Sequence, residues 1–129
     1  MIWYAAFGSA AGGALRFLLG AFVQQRAGGT FPFGTLAINV TGSLLLGFLL
    51  HFSLSTSTVS PEVRALLTTG FCGGYTTFST FTWEIMRMLE DGAHAEALLY
   101  VTLSVAASLV GVYLGVLGAR ELLALRARL

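Results

Sequence analysis

Four stretches of the chain carry no charged side chain: Met1–Leu15, Ala27–Pro61, Ala65–Trp83 and Ala97–Ala119. A helix rises about 1.5 Å per residue, so about 20 apolar residues cross a bilayer. The pattern predicts four membrane helices, at about 2–23, 32–52, 62–89 and 97–117. Gln24–Thr30, Ser53–Ser60 and Glu90–Glu96 are left as connections. Pro32 suits the first turn of the second helix, where its missing N–H costs nothing. Pro61 opens the third, with Glu62 in a first turn whose dipole favours an anion. No basic segment precedes the first apolar run, and Arg16 interrupts it late, so it reads as a mature helix rather than a cleaved signal. The four crossings take up nearly all of residues 1–129, which read as a single four-helix transmembrane domain. The fold class expected is all-α integral membrane, and any activity lies in the membrane.

The third crossing departs from a plain apolar helix. Its middle, Gly73-Gly74-Tyr75-Thr76-Thr77-Phe78-Ser79-Thr80-Phe81, gathers glycines and hydroxyl residues at membrane depth. Glycine is a weak helix former, and Ser/Thr side chains compete for backbone groups. The segment predicts a broken third helix. A break at that depth persists only where protein buries it or a polar cavity passes it, and such breaks commonly mark ion or substrate sites. Phe78 and Phe81 share a helical face. Their ring edges are positive and can meet an anion, although two phenylalanines at this spacing also serve ordinary packing. Carbonyls freed at the break suit a hard cation such as Na⁺.

The other helices carry stripes of small or polar residues at a spacing of four, on one face each. The first has Gly8, Gly12, Arg16 and Gly20; the second Thr35, Asn39, Ser43 and Gly47; the fourth Tyr100, Ser104 and Ser108. Close helix packing explains the glycines, as it does Gly70 with Gly74 and Gly111 with Gly115. An amide at mid-membrane, Asn39, is either interhelical glue or part of a pathway. The Tyr100–Ser104–Ser108 line is either packing or a ladder of donors for a strongly hydrated ion. Arg16 either snorkels to the interface or gives a vestibule a field that draws anions. Glu84, beside Trp83, reads as a structural charge.

Composition narrows the classes. The seven cationic residues are all arginine and the net charge is +1, so there is no Walker lysine, no Schiff-base lysine and no nucleic-acid footprint. Cys72, the one cysteine, has no internal partner. His51 and His94 lack the spacing of a metal site, and no nucleophile–base pair stands out, so the chain does not read as an enzyme. With four crossings the termini share a side with Arg64, Arg120, Arg126 and Arg128, against Arg26, Arg87 and perimembrane Arg16. That weak bias permits insertion in either orientation.

Three segments carry a family resemblance: Gly12-Gly13-Ala14-Leu15-Arg16-Phe17, the run Phe33–Gly42 around Asn39, and Gly70–Glu84. Together, in this order and spacing, they resemble the CrcB/Fluc fluoride channels. The resemblance implies an antiparallel, dual-topology homodimer in the inner (plasma) membrane that passively exports fluoride. It implies that Asn39, Phe78, Phe81, Tyr100, Ser104 and Ser108 line the fluoride pore, and that each pore draws on both subunits. Arg16 matches the arginine of the first motif. Gly73 and Thr76 match positions whose backbone carbonyls hold a structural Na⁺ at the dimer interface. Beyond fluoride, the lipid bilayer and a second copy, it implies no protein partner and no nucleic acid. Past Ser108 the next position on the track is Val112, where the ladder of hydroxyls stops. Two other classes compete: a small four-helix multidrug transporter, which needs a membrane carboxylate that helix one lacks, and a non-transporting membrane assembly subunit, which leaves the Thr/Phe-dense break unexplained.

Overall fold

The computed structural model describes residues 1–128, which are helical with no strand among them. Helix α1 is Ile2–Ala27 and α2 is Phe33–Leu54. The third crossing comes in pieces: α3 (Pro61–Ala65), a π-helical segment (Leu66–Cys72), α4 (Gly73–Tyr75) and α5 (Phe78–Glu90). Helix α6, His94–Arg126, completes the chain. Three of these, α1, α2 and α6, are long and apolar enough to cross a membrane as uninterrupted helices. The third crossing is split between shorter elements, none of which spans alone.

Helix α6 continues to Arg126 rather than stopping near residue 117, so the basic tail is mostly helix. Its stripe of small residues explains this. Gly111, Gly115 and Ala119 are all buried, and Cβ atoms at Gly111 and Gly115 would press on the α2 backbone at Val40 and Leu44. The seam therefore holds α6 against α2 past the last apolar turn. At its far end the Arg126 guanidinium lies 5.1 Å from the centre of the Phe52 ring, a favourable cation–π geometry.

The π-helical segment and α4 lie against α1. A side chain at Gly12 would strike the Phe71 carbonyl, so backbone meets backbone there. This close approach is the packing that small residues allow between membrane helices. Cys72 is only 1% exposed inside it. Ser9 Oγ adds a hydrogen bond to the Gly70 carbonyl at 3.3 Å.

The connections are made by specific polar contacts. Gln24 at the end of α1 accepts from the Gly34 N–H and donates to the Phe31 and Gly29 carbonyls. One amide thus holds the α1–α2 loop and one of the unpaired N–H groups that a helix start exposes. Ser60 caps α3 by accepting from the Val63 N–H. After α5, the Ala93 N–H reaches the Met88 carbonyl at 2.8 Å and the Gly92 N–H reaches Leu89 at 3.1 Å. This is a Schellman turn, and Gly92 takes the left-handed backbone it needs, with φ 74°. The turn brings α5 onto the start of α6, where Phe81, Met88, Ala97 and Tyr100 form a buried cluster.

Candidate functional site

Helix geometry fails at Thr76 and Thr77, which are both extended (φ −87°, ψ 158° and φ −147°, ψ 113°). Composition alone does not place the break so sharply; Asn39 on α2 does. Its Nδ2 donates to the Thr77 carbonyl at 3.0 Å, and the Thr77 N–H donates to its Oδ1 at 2.8 Å. The amide thus pairs with the broken backbone much as a neighbouring strand would. In an unbroken helix the Thr77 N–H would bond the Gly73 carbonyl, and that bond is given up to Asn39. The Thr76 hydroxyl and N–H both donate to the Cys72 carbonyl at 3.0 Å and close the upstream piece. Thr77 Oγ1 accepts from the Thr80 N–H and caps α5. The break is therefore a hydrogen-bonded joint, in which unmet backbone groups are few.

Two cavities lie beside this joint. The wider, about 800 Å³, is bounded by α1, α2, α5 and the loops, with Arg16, Thr35, Thr80, Glu84, Arg87 and Asp91 among its walls. Helix α5 is amphipathic, and Thr80, Glu84, Arg87 and Asp91 recur every three or four residues along it, so they share the face turned to this space. Glu84 is held on both oxygens. Thr35 Oγ1 donates to Oε1 at 2.7 Å and the Tyr100 hydroxyl donates to Oε2 at 2.6 Å. Arg16 crosses from α1 to the joint, where Nη1 donates to the Thr76 carbonyl at 3.2 Å. It is anchored at the break rather than free at the interface.

The narrower cavity, about 280 Å³, has no charged wall. Asn39, Gly42, Ser43, Leu46, Thr76, Phe78, Phe81, Ser104, Val105 and Ser108 line it. Ser104 is 6% exposed, and its Oγ has no hydrogen-bond partner. A buried hydroxyl is nearly always paired, so this donor points to a ligand. Asn39 uses one amide hydrogen on Thr77 and keeps the second. Phe78 and Phe81 lie 5.7 Å apart, centre to centre, with planes tilted by 46°. Phe81 packs edge-on to Tyr100 at 5.1 Å and is 8% exposed, whereas Phe78 is 76% exposed.

The fold thus gathers Asn39, Phe78, Phe81, Ser104 and Ser108 around one space, and Arg16 and Glu84 around the other. Tyr100 lines neither. It is wholly buried and spends its hydroxyl on Glu84. Thr35 stands out only in the structure, as the third member of the Glu84–Tyr100 group. Its signal in the sequence is its place one turn before Asn39 on the α2 stripe. Thr77, the partner of Asn39, had no signal of its own, because its backbone rather than its side chain does the work.

The cation expected at Gly73 and Thr76 can be tested against these bonds. The Gly73 carbonyl has lost its helical partner to the joint, and a Cβ at Gly73 would meet nothing within 4 Å. The Thr76 carbonyl keeps one lone pair beside the Arg16 guanidinium. Both are hard oxygen ligands of the kind Na⁺ takes, but two carbonyls make only part of its shell and the Arg16 cation already holds one of them.

Comparison with known proteins places this arrangement. A family model described as "CrcB-like protein, Camphor Resistance (CrcB)" matches residues 3–116. A "Fluoride-specific ion channel FluC" of Geobacter sulfurreducens is 48% identical over 118 residues, covering 92% of this chain and 94% of that one. The protein of the same name from Rhizobium meliloti is 47% identical over 108 residues, covering 84% and 86%, and that from Citrifermentans bemidjiense is 44% identical over 119, covering 92% and 96%. With a family match across most of its length and relatives this similar end to end, the chain belongs to the CrcB family.

Proposed function

We propose that this chain is a fluoride-selective channel, not an enzyme, that lets fluoride leave the cell down its gradient through the inner membrane. The observation that carries the reading is the narrow cavity, where the Asn39 amide, the unpartnered Ser104 hydroxyl, Ser108 and two phenylalanine rings line one space without any charge. Fluoride is small and strongly hydrated, so a site must replace its water with donors. Donors without a full positive charge bind it firmly enough to enter and weakly enough to leave. The broken helix supports the reading further. Helix α5 begins at the joint, so its N-terminal N–H groups and dipole favour an anion there. The upstream piece ends there in carbonyls, which favour a cation.

The working unit in this proposal is an antiparallel homodimer of dual-topology chains, with all four helical rods crossing the bilayer as one domain. Phe78 supports it. A ring 76% exposed at the edge of the narrow cavity leaves room for a second copy to supply the facing wall. Gly73 and Thr76 of each copy would together hold one Na⁺, which would pin the joint by charge, with no part in moving the anion. Asn39, Phe78, Phe81, Ser104 and Ser108 are the pore residues. Tyr100 acts behind Phe81 by orienting Glu84, and Arg16 sets the field at the mouth.

Reconstitution in liposomes tests the proposal. Fluoride and chloride efflux are followed with ion-selective electrodes, with sodium present and with sodium replaced by a large organic cation. Fast fluoride efflux without chloride efflux is expected. Retention of both ions by a dimeric preparation would sink the channel reading. Unchanged flux and dimer stability without sodium would remove the cation from it.

A further inference from the structure

The track of hydroxyls on α6 ends at Ser108, because Val112 follows it on the same face. The structure shows that α6 could not continue the track in any case. Gly47 on α2 packs directly on the Val112 backbone, so the two helices close on each other one turn beyond Ser108. The α6 line therefore has no open space beyond Ser108 along its contact with α2, and α2 forms one wall of the space beside it.

That wall presents Asn39, Gly42, Ser43 and Leu46, the residues of α2 that line the narrow cavity. Ser43 lies one turn from Asn39 and one turn from Gly47, at the last position before the seal. It is half-buried. Several hydroxyls elsewhere on the helices are satisfied by protein. Thr41, Thr68, Thr76 and Thr102 each donate to the carbonyl one turn back, and Ser9 donates across to Gly70. Among the described residues Ser43, Ser104 and Ser108 make no such bond, and Ser104 Oγ is buried without any partner. A helical serine readily back-bonds to its own carbonyls. Three that share one cavity and do not are available to something inside it.

We infer that Ser43 is a fluoride-contacting residue that takes the ion from Ser104 and Ser108 on α6 and passes it along α2 where the α6 ladder ends. This inference rests on the channel reading. It adds to it a donor on the opposite helix and a direction of exit. Three neutral hydroxyls from two helices would surround the anion as it turns, and Leu46 would bound the far side of the space.

Single-channel recording of the reconstituted protein tests it, because the current through one open channel is independent of how many molecules fold. Ser43→Ala removes the donor and little volume, and Ser43→Cys keeps the shape with a weaker donor. The expected fluoride current per channel in Ser43→Ala is lower by on the order of ten-fold, the effect of one lost hydrogen bond to a charged group. Ser43→Cys is expected to fall between it and the wild type. A wild-type current per channel in Ser43→Ala, or in Ser43→Cys if only that variant assembles, would overturn the role of Ser43 and leave the channel reading intact. No fluoride current from the unsubstituted dimer would overturn both.

Discussion

The wide cavity has Arg16, Arg87, Glu84, Asp91 and Glu96 in its walls; the narrow one, on the other side of the Thr76–Thr77 joint, has no charged residue at all. Two arginines stand against three carboxylates in the wide cavity, so in the proposed channel Arg16 at the joint, and not the wide space as a whole, would draw an anion. Neutral donors act only in contact, so in the proposed channel the narrow space would set which anion is accepted. The joint lies between the two, with Asn39 and Thr77 exchanging a pair of hydrogen bonds there. On that proposal, attraction by Arg16 and recognition by neutral donors would fall to separate spaces. An arginine inside the narrow one would bind fluoride too tightly to release it.

Substitutions on the two sides should therefore fail in different ways. The largest effect is expected at the joint itself. Asn39→Ala strands the Thr77 N–H and carbonyl in an apolar setting, at about 1–3 kcal/mol for each unsatisfied group. Fluoride flux should fall at least about 100-fold and the protein should melt at lower temperature, read by efflux and thermal unfolding in detergent. Near-normal flux would mean that the joint is held by packing alone. Ser104→Ala comes next. The hydroxyl has no protein partner to lose, so stability should shift by less than about 0.5 kcal/mol. Flux should still drop by roughly ten-fold, because a bond to an ion is worth about 1.5–3 kcal/mol. A stability loss without a flux loss would turn the comparison around and make the narrow cavity a packing defect.

The smallest effect is expected in the wide cavity. Arg16→Gln removes the charge and, being two bonds shorter, also gives up the hydrogen bond to the Thr76 carbonyl. Flux should fall by about three- to ten-fold at low ionic strength, and the deficit should shrink as salt rises and screens the field. The preference for fluoride over chloride should stay as it was. A change in that preference, measured by efflux of both ions from the same vesicles, would show that selection begins in the wide cavity and would dissolve the division between the two.

How the chain reads as sequence varies by element. The three uninterrupted spans follow from runs of apolar residues and need no tertiary information. The glycine stripes are likewise visible, because a spacing of four already places them on one face. The third crossing is harder. Its composition warns of a break, but the run Gly73–Phe81 offers several places for it. The structure puts a π-helical segment before it, which no local propensity announced, and sets the extended residues at 76 and 77. Tyr100 shows the same limit. Spacing puts it on one line with Ser104 and Ser108, yet its hydroxyl turns to Glu84, because a partner from another helix decides where a long side chain points.

The sequence by itself determined the helices, their small-residue faces and the stretch where the third of them would fail. These depend on hydrophobicity, helix periodicity and backbone propensity, and all three act over a few neighbouring residues. Only the tertiary structure decided where the failure sits and what surrounds it. Asn39 is 38 residues from Thr77 along the chain, and nothing local makes one amide the partner of one distant peptide. That pairing fixes the joint. The joint in turn lies between a charged space and a neutral one, and the neutral one is lined by Ser43, Ser104 and Ser108.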